Sequence, residues 1–186
     1  MTLRFAAPED VSALLSIYER YISTPITFEY TLPSLEEFAR RVASVQTFYP
    51  YLVAEENGEL LGYAYAHRIA ERAAYRWGAE LSIYLRPDAV RRGLGKQLYQ
   101  SLIALLRLQG VRTVYGLVAS PNPASEGLHR SLGFHRMGVQ RNAGYKNGRW
   151  VDLIWFEQSI APYVHQPGPV LPVGQLAPKD IETALL

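Results

Sequence analysis

Glu80 and Ser82 alternate with apolar neighbours in Ala79-Glu80-Leu81-Ser82-Ile83-Tyr84-Leu85, and the basic run Arg91-Arg92-Gly93-Leu94-Gly95-Lys96 follows shortly after. A Gly-spaced basic turn that opens a helix gathers backbone N–H groups and a positive dipole end at one point, which suits a pyrophosphate. Gly93 and Gly95 would let a phosphate approach the backbone because no side chain intervenes. A carboxylate just upstream of such a turn, Glu80, is a candidate general base. Further on, Asn122 stands near a helix start and His129 carries an imidazole that titrates near neutrality, able to act as acid or base. Each has a plainer alternative. The turn could be an ordinary strand-to-helix connection with surface arginines, Glu80 an ion-pair partner, Asn122 a helix cap and His129 a core-edge residue.

These groups must be held by regular elements, and the pattern predicts them. Ala79, Leu81, Ile83 and Leu85 alternate with Glu80, Ser82 and Tyr84, so a strand presents the carboxylate on its polar face. Leu94, Leu98, Leu102, Leu105 and Leu106 recur at helical spacing up to a stop at Gly110. A short strand at 114–118 leads to the segment Asn122-Pro123-Ala124-Ser125-Glu126-Gly127-Leu128-His129-Arg130-Ser131-Leu132-Gly133-Phe134. Leu3-Arg4-Phe5 reads as a first strand, and Val11, Leu14, Leu15, Tyr18 and Ile22 as the apolar face of a first helix. Ser34 with Glu37 predicts a capping box for a second helix through about Val45. Thr27-Phe28-Glu29-Tyr30 lies in the loop between the two helices. Asn57-Gly58 and Asn147-Gly148 predict tight hairpin turns between strands at 51–55 and 59–67 and at 136–146 and 150–158. Pro162, Pro167, Pro169, Pro172 and Pro178 favour an extended tail over 162–186 after a single domain at 1–161.

Composition narrows the function classes. A chain of 186 residues, 48% hydrophobic, suits one globular domain of mixed α/β (α+β) class with a substantial core. A formal net charge of +2, with arginines flanking Gly-rich turns, argues against nucleic acid and for a small anionic ligand. The absence of cysteine removes disulfides, thiolate metal sites and a cysteinyl acyl intermediate, and no metal is expected. No apolar run approaches membrane-spanning length and the polar first strand lacks a signal core, so the expected location is the cytoplasm, with no membrane partner.

The ordered pair of motifs, Arg91 to Lys96 followed by Asn122 to Phe134, resembles the acyl-CoA-binding core of the GCN5-related N-acetyltransferases (GNAT). Arg72-Ala73-Ala74-Tyr75-Arg76-Trp77, Leu128-His129, the segment from Gly144 to Asp152 and Pro169-Val170-Leu171-Pro172-Val173 look like the branch that acetylates phosphinothricin and methionine sulfoximine. The likeness runs from the first strand to about Val173. It implies a twisted mixed sheet splayed at the acyl-CoA site with helices on both faces, acetyl-CoA as co-substrate, and direct transfer to the α-amine of a small amino acid, with an association with antibiotic or herbicide resistance. It further implies that Ser82, Ile83, Tyr84 and Leu85 meet the pantetheine arm, that Arg91, Arg92, Gly93, Leu94, Gly95 and Lys96 cradle the pyrophosphate, and that Asn122 and Ser131 also contact the cofactor. Glu80 would be the base. His129 stands where many of these enzymes carry a Tyr that protonates the CoA thiolate. For the amine substrate it implies Phe28 and Glu29 as a wall, with Arg72, Ala73, Ala74, Tyr75 and Lys146, in a homodimer whose second subunit helps close the site. Other amines (arsinothricin, a polyamine, a protein N-terminus) and a non-catalytic acyl-CoA sensor are the alternatives; Glu80 and residues 72–77 favour an enzyme, because a sensor needs neither.

Overall fold

Two Asn-Gly turns and one long leucine stripe account for much of the architecture. In the computed structural model, which describes residues 1–185, the order is β1 (Thr2–Phe5), α1 (Val11–Ile22), α2 (Leu35–Gln46), β2 (Tyr51–Glu56), β3 (Glu59–Arg68), β4 (Gly78–Leu85), α3 (Leu94–Gln109), β5 (Thr113–Ser120), α4 (Pro123–Ser131), β6 (His135–Lys146), β7 (Arg149–Ser159) and α5 (Pro178–Ala184). Asn57 and Gly58 have φ of 53° and 80°, and Asn147 and Gly148 52° and 76°, the left-handed pairs that primed hairpin turns require. They close β2 onto β3 and β6 onto β7.

The seven strands form one sheet in the order β1-β2-β3-β4-β5-β7-β6, antiparallel throughout except between β4 and β5. Helices α1 and α2 cover one face: Leu14, Ile17, Tyr18, Phe38 and Val42 pack against Tyr51, Val53 and Tyr63. On the opposite face the stripe Leu94, Leu98, Leu102, Leu105 and Leu106 of α3 lies at 2% exposure or less against Leu52, Ala64, Leu81 and Val114. Truncating one of these leucines to alanine leaves a cavity and costs about 2–5 kcal/mol.

Two expectations need correction. The Ser34 hydroxyl accepts the Glu37 amide at 3.1 Å, but the Glu37 carboxylate turns to Arg41, so only half of the capping box forms. The C-terminal segment is not an extended tail. Val170 is buried in the α3-side core, Val173 is buried as well, and Pro178 begins α5, whose Ile181 and Ala184 pack on that core. A proline at the first helical position forfeits an N–H that has no intrahelical partner, so it starts a helix as readily as it prevents one. Gln109 fixes this strap, donating its Nε2 protons to the Phe48 and Leu171 carbonyls at 2.8 and 2.7 Å.

The feature that makes a site is the break between β4 and β5. Their parallel pairing covers Gly78–Thr113, Ala79–Val114 and Glu80–Tyr115 and then ends, while both strands run on. At the far end of β4 the Tyr21 hydroxyl takes the place of a strand, donating to the Leu85 carbonyl and accepting the Leu85 N–H. From Leu81 onward one edge of β4 therefore faces an opening instead of β5.

Candidate active site

The opening is a cavity of about 780 Å³. Ser82, Ile83, Tyr84 and Leu85 line it from β4, Leu117, Val118 and Ala119 from β5, and Asn122 and Ser131 from α4, whose start is capped by Asn122 Oδ1 accepting the Ser125 amide at 3.2 Å. Arg91, Gly93, Leu94, Gly95 and Lys96 line its mouth. Arg91 and Gly93 have φ of 66° and 81°. Left-handed residues this close together turn successive amides inward as an anion-binding concavity, and the first amides of α3 add donors that have no carbonyl one turn back. The two glycines differ in purpose. A Cβ on Gly93 would meet open space, so its positive φ is what demands glycine; a Cβ on Gly95 would stand 3.2 Å from Leu128 and 3.5 Å from Ile83, so there close packing of α3 demands it. An anion nest at one end and an unpaired strand edge at the other suit a molecule with a pyrophosphate and an amide-bearing arm, as CoA has. Arg92 takes no part in lining the cavity: its guanidinium pairs with Glu56 at 2.7 Å.

Glu80 lies at the base of the break, on the face away from α3. Its carboxylate, 20% exposed, has His67 Nε2 at 3.7 Å, and burial raises its pKa above the usual carboxylate value, a rise that His67 opposes when it is protonated. Register places His67, Glu80, Tyr115, Glu157 and His135 in one row across β3, β4, β5, β7 and β6. Beside this row, around Gly78, is a second cavity of about 220 Å³ with Tyr75, Arg112, Tyr115 and Tyr163 in its wall. The Arg112 Nε is buried without a hydrogen-bond partner among the described residues, and the Tyr163 hydroxyl meets Thr113 Oγ1 at 2.8 Å.

His129 is enclosed by aromatic rings. It is 2% exposed, with Phe134 and Phe156 rings 5.0 and 5.1 Å away and Tyr99 at 5.5 Å. Nδ1 lies 2.8 Å from the Ser125 carbonyl, which only accepts, so the ring proton is committed there. Nε2 faces Gly116, where a Cβ would come within 2.1 Å of it. Burial lowers the imidazole pKa, so the neutral ring is favoured. It lines the larger cavity, where its buried Nε2 has no hydrogen-bond partner among the described residues.

The residues expected to bind the amine substrate divide. Ala74 and Tyr75 line the smaller cavity; Arg72 and Ala73, on the same short 3-10 turn, are exposed and line neither cavity. Lys146 is 3% exposed and donates to the carbonyls of Thr27 and Glu29 at 2.6 and 2.7 Å. It is a clamp on the loop between α1 and α2, not an open cation. The hairpin it belongs to holds that loop elsewhere too: Asn147 Nδ2 donates to the Ser23 carbonyl at 2.9 Å, the Tyr30 hydroxyl donates to the Tyr145 carbonyl, and Phe28 lies on Gly144, whose absent side chain leaves room for the ring. Glu29 is paired with Arg41, so its charge is already answered. Arg112, Tyr115 and Tyr163 escaped the sequence reading, since each is an unremarkable polar or aromatic residue until the sheet brings 112–115 beside 163 and 78.

A model of the acetyltransferase (GNAT) domain matches residues 3–155. The phosphinothricin N-acetyltransferase of Alcaligenes faecalis is 39% identical over 162 residues, 86% of this chain and 82% of that protein. The L-methionine sulfoximine/L-methionine sulfone acetyltransferase of Pseudomonas aeruginosa is 36% identical over 166 residues, 87% of this chain and 95% of that protein. Among solved structures, a phosphinothricin acetyltransferase of Sinorhizobium meliloti in complex with AcCoA superposes with a TM-score of 0.87 at 34% identity, covering 94% of this chain and 97% of that one. With the splayed sheet, the left-handed turn and the domain match in agreement, the chain belongs to the GNAT family of acetyltransferases, enzymes that take acetyl-CoA as their acyl donor.

Proposed function

We propose that this enzyme acetylates the α-amine of a small amino acid that carries a second oxygen-rich group, of the phosphinothricin or methionine sulfoximine and sulfone type. The observation that carries the reading is the place of Glu80, one residue upstream of the open edge of β4 and beside a cavity lined by Arg112. Acetyl-CoA, when bound, supplies an activated acyl carbonyl. The turn from Arg91 to Lys96 holds its pyrophosphate, and the edge of β4 that β5 leaves open, before Tyr21 closes it at Leu85, aligns its arm. Glu80 takes a proton from the substrate ammonium; its raised pKa makes it a better proton acceptor than an ordinary carboxylate. Arg112, with Tyr75 and Tyr163, receives the distal oxygens through charge-assisted bonds. Arg72 stays a candidate for the substrate carboxylate at the entrance. The names of the relatives support this substrate class.

We also infer a cytoplasmic homodimer. Among the described residues no helix is long and apolar enough to cross a membrane. Among the described residues the edge strand β6 pairs only with β7, and Tyr145 and Trp150 at the tip of that hairpin, with Tyr30 of the loop beside them, form an aromatic patch exposed at 50, 62 and 69%. A second copy seated there would also cover the loop carrying Phe28. The substrate reading is tested by thiol release from acetyl-CoA with phosphinothricin, methionine sulfoximine, methionine sulfone, spermidine and an alanine-terminated peptide, with the products weighed by mass spectrometry. Turnover of the first three above the last two is expected. Turnover of spermidine or the peptide alone overturns the substrate class and leaves the acetyltransferase.

A further inference from the structure

At neutral pH the amine arrives as an ammonium, and amide formation takes two protons from it. The N–C bond forms and the C–S bond breaks; one proton ends on the departing thiol, and one must reach bulk water in every turnover. If Glu80 collects that second proton, it stands 20% exposed at the base of the cleft and has to pass the proton on before the next cycle.

Its only titratable neighbour within ion-pair reach among the described residues is His67, its register partner on β3. The arrangement of that ring is specific. Nδ1 lies 3.0 Å from the Arg68 carbonyl, which can only accept, so Nδ1 carries the proton and Nε2 presents a lone pair. It is Nε2 that faces Glu80 Oε1, at 3.7 Å, a gap that a small side-chain motion closes to hydrogen-bond distance. The histidine side chain is 36% exposed against 20% for the carboxylate, so it connects the cleft to solvent. The other groups around it do not compete. Tyr65, two residues away on β3 with its ring 6.0 Å distant, and Tyr51, stacked on Tyr65, are tyrosines whose pKa values burial raises. Tyr115 lies beyond Glu80, also raised. Arg68 pairs with Glu71 on the surface, and Arg41 with Glu29 on the side of α2.

We propose that His67 is the outlet for the proton that Glu80 removes from the amine. The O–H bond of protonated Glu80 breaks as an N–H bond forms at His67 Nε2, and the imidazolium releases the proton to water, restoring the Glu80 carboxylate. His67 acts through Glu80 and is a positioning and relay residue. The proposal rests on Glu80 being the base.

The test is the steady-state turnover of His67→Gln and Glu80→Gln beside the native enzyme, at several buffer concentrations and with added imidazole. His67→Gln should bind acetyl-CoA and the amine as before and lose about tenfold in kcat, less than the 10²–10⁴ of a group that acts on the reacting atoms, because His67 acts only through Glu80. Its kcat should rise with buffer or imidazole concentration, while the native rate stays independent of both. A kcat for His67→Gln equal to the native one overturns the outlet. So does a low kcat that neither buffer nor imidazole raises, since that marks a purely structural loss. Normal turnover of Glu80→Gln instead overturns the base itself. A deficient Glu80→Gln beside a normal His67→Gln keeps the base and removes only the relay.

Discussion

The two ends of β4 offer different means of binding a ligand. Its C-terminal end, Leu81 to Leu85 with the turn at Arg91 to Gly95, offers backbone: a strand edge that β5 leaves open until Tyr21 closes it at Leu85, and a turn with two left-handed residues. Its N-terminal end, Gly78 to Glu80, offers side chains gathered from four other strands and the C-terminal strap. A backbone site depends on shape and tolerates most side-chain changes outside its glycines. A side-chain site changes with each substitution, so substrate choice can vary there while the acyl donor stays the same.

Substitutions on either side sharpen this contrast. The largest effect is expected at Glu80. Glu80→Gln keeps the shape and removes the base, so acetyl transfer at neutral pH should fall by about 10²–10⁴ in steady-state CoA release. In the native enzyme the acid limb of kcat/KM should lie above the usual carboxylate value, since burial raises the Glu80 pKa and only the ionised form accepts a proton. A native profile flat through that region would contradict the assignment.

Gly95→Val attacks the backbone end. The new side chain pushes on Leu128 and Ile83 and forces α3 away from β4 and α4. Overpacking of this kind costs about 1–3 kcal/mol, to be read as weaker acetyl-CoA binding by calorimetry. The rate at saturating acetyl-CoA should change far less than in Glu80→Gln, and a reversed ranking would dissolve the contrast.

Lys146→Met unclamps the loop between α1 and α2 by leaving the Thr27 and Glu29 carbonyls without their donor. A loss of about 1–3 kcal/mol in stability is expected, with KM for the amine rising more than KM for acetyl-CoA. Equal rises in both would make Lys146 a general fold residue.

These predictions also mark what the sequence could disclose. The strand with Glu80, the leucine stripe and the Gly-spaced turn were legible because alternation, helical spacing and left-handed turns are local. Arg92 looked free for phosphate until β2 and β3 brought Glu56, 36 positions away, to its guanidinium. Lys146 and Glu29 looked like substrate ligands until the first was seen to hold a loop 117 positions away and the second to pair with Arg41. A charge is free or spent according to contacts that periodicity does not encode. The C-terminal prolines misled for another reason: proline content indicates where a helix cannot continue, while the burial of Val170 and Val173 depends on a groove formed by α3 and the Phe48 turn.

The smallest expected effect is the pH dependence of stability from His129. Burial lowers its folded pKa below the ordinary 6.5, so the unfolded chain binds the proton more readily. The stability that the neutral ring contributes is present above pH 6.5 and is lost as pH falls through the folded value. Thermal melts should drop between pH 7 and 5, and His129→Phe should show a shallower drop. An unchanged slope would mean that other groups set it.

The separation of the two ends is tested most directly by titrating Glu80→Gln with acetyl-CoA in a calorimeter. The account predicts a Kd within about twofold of the native enzyme, equivalent to less than about 0.5 kcal/mol, in a protein whose transfer rate has collapsed. A parallel loss of acetyl-CoA affinity would contradict it, because Glu80 would then belong to the donor site and β4 would carry one function instead of two.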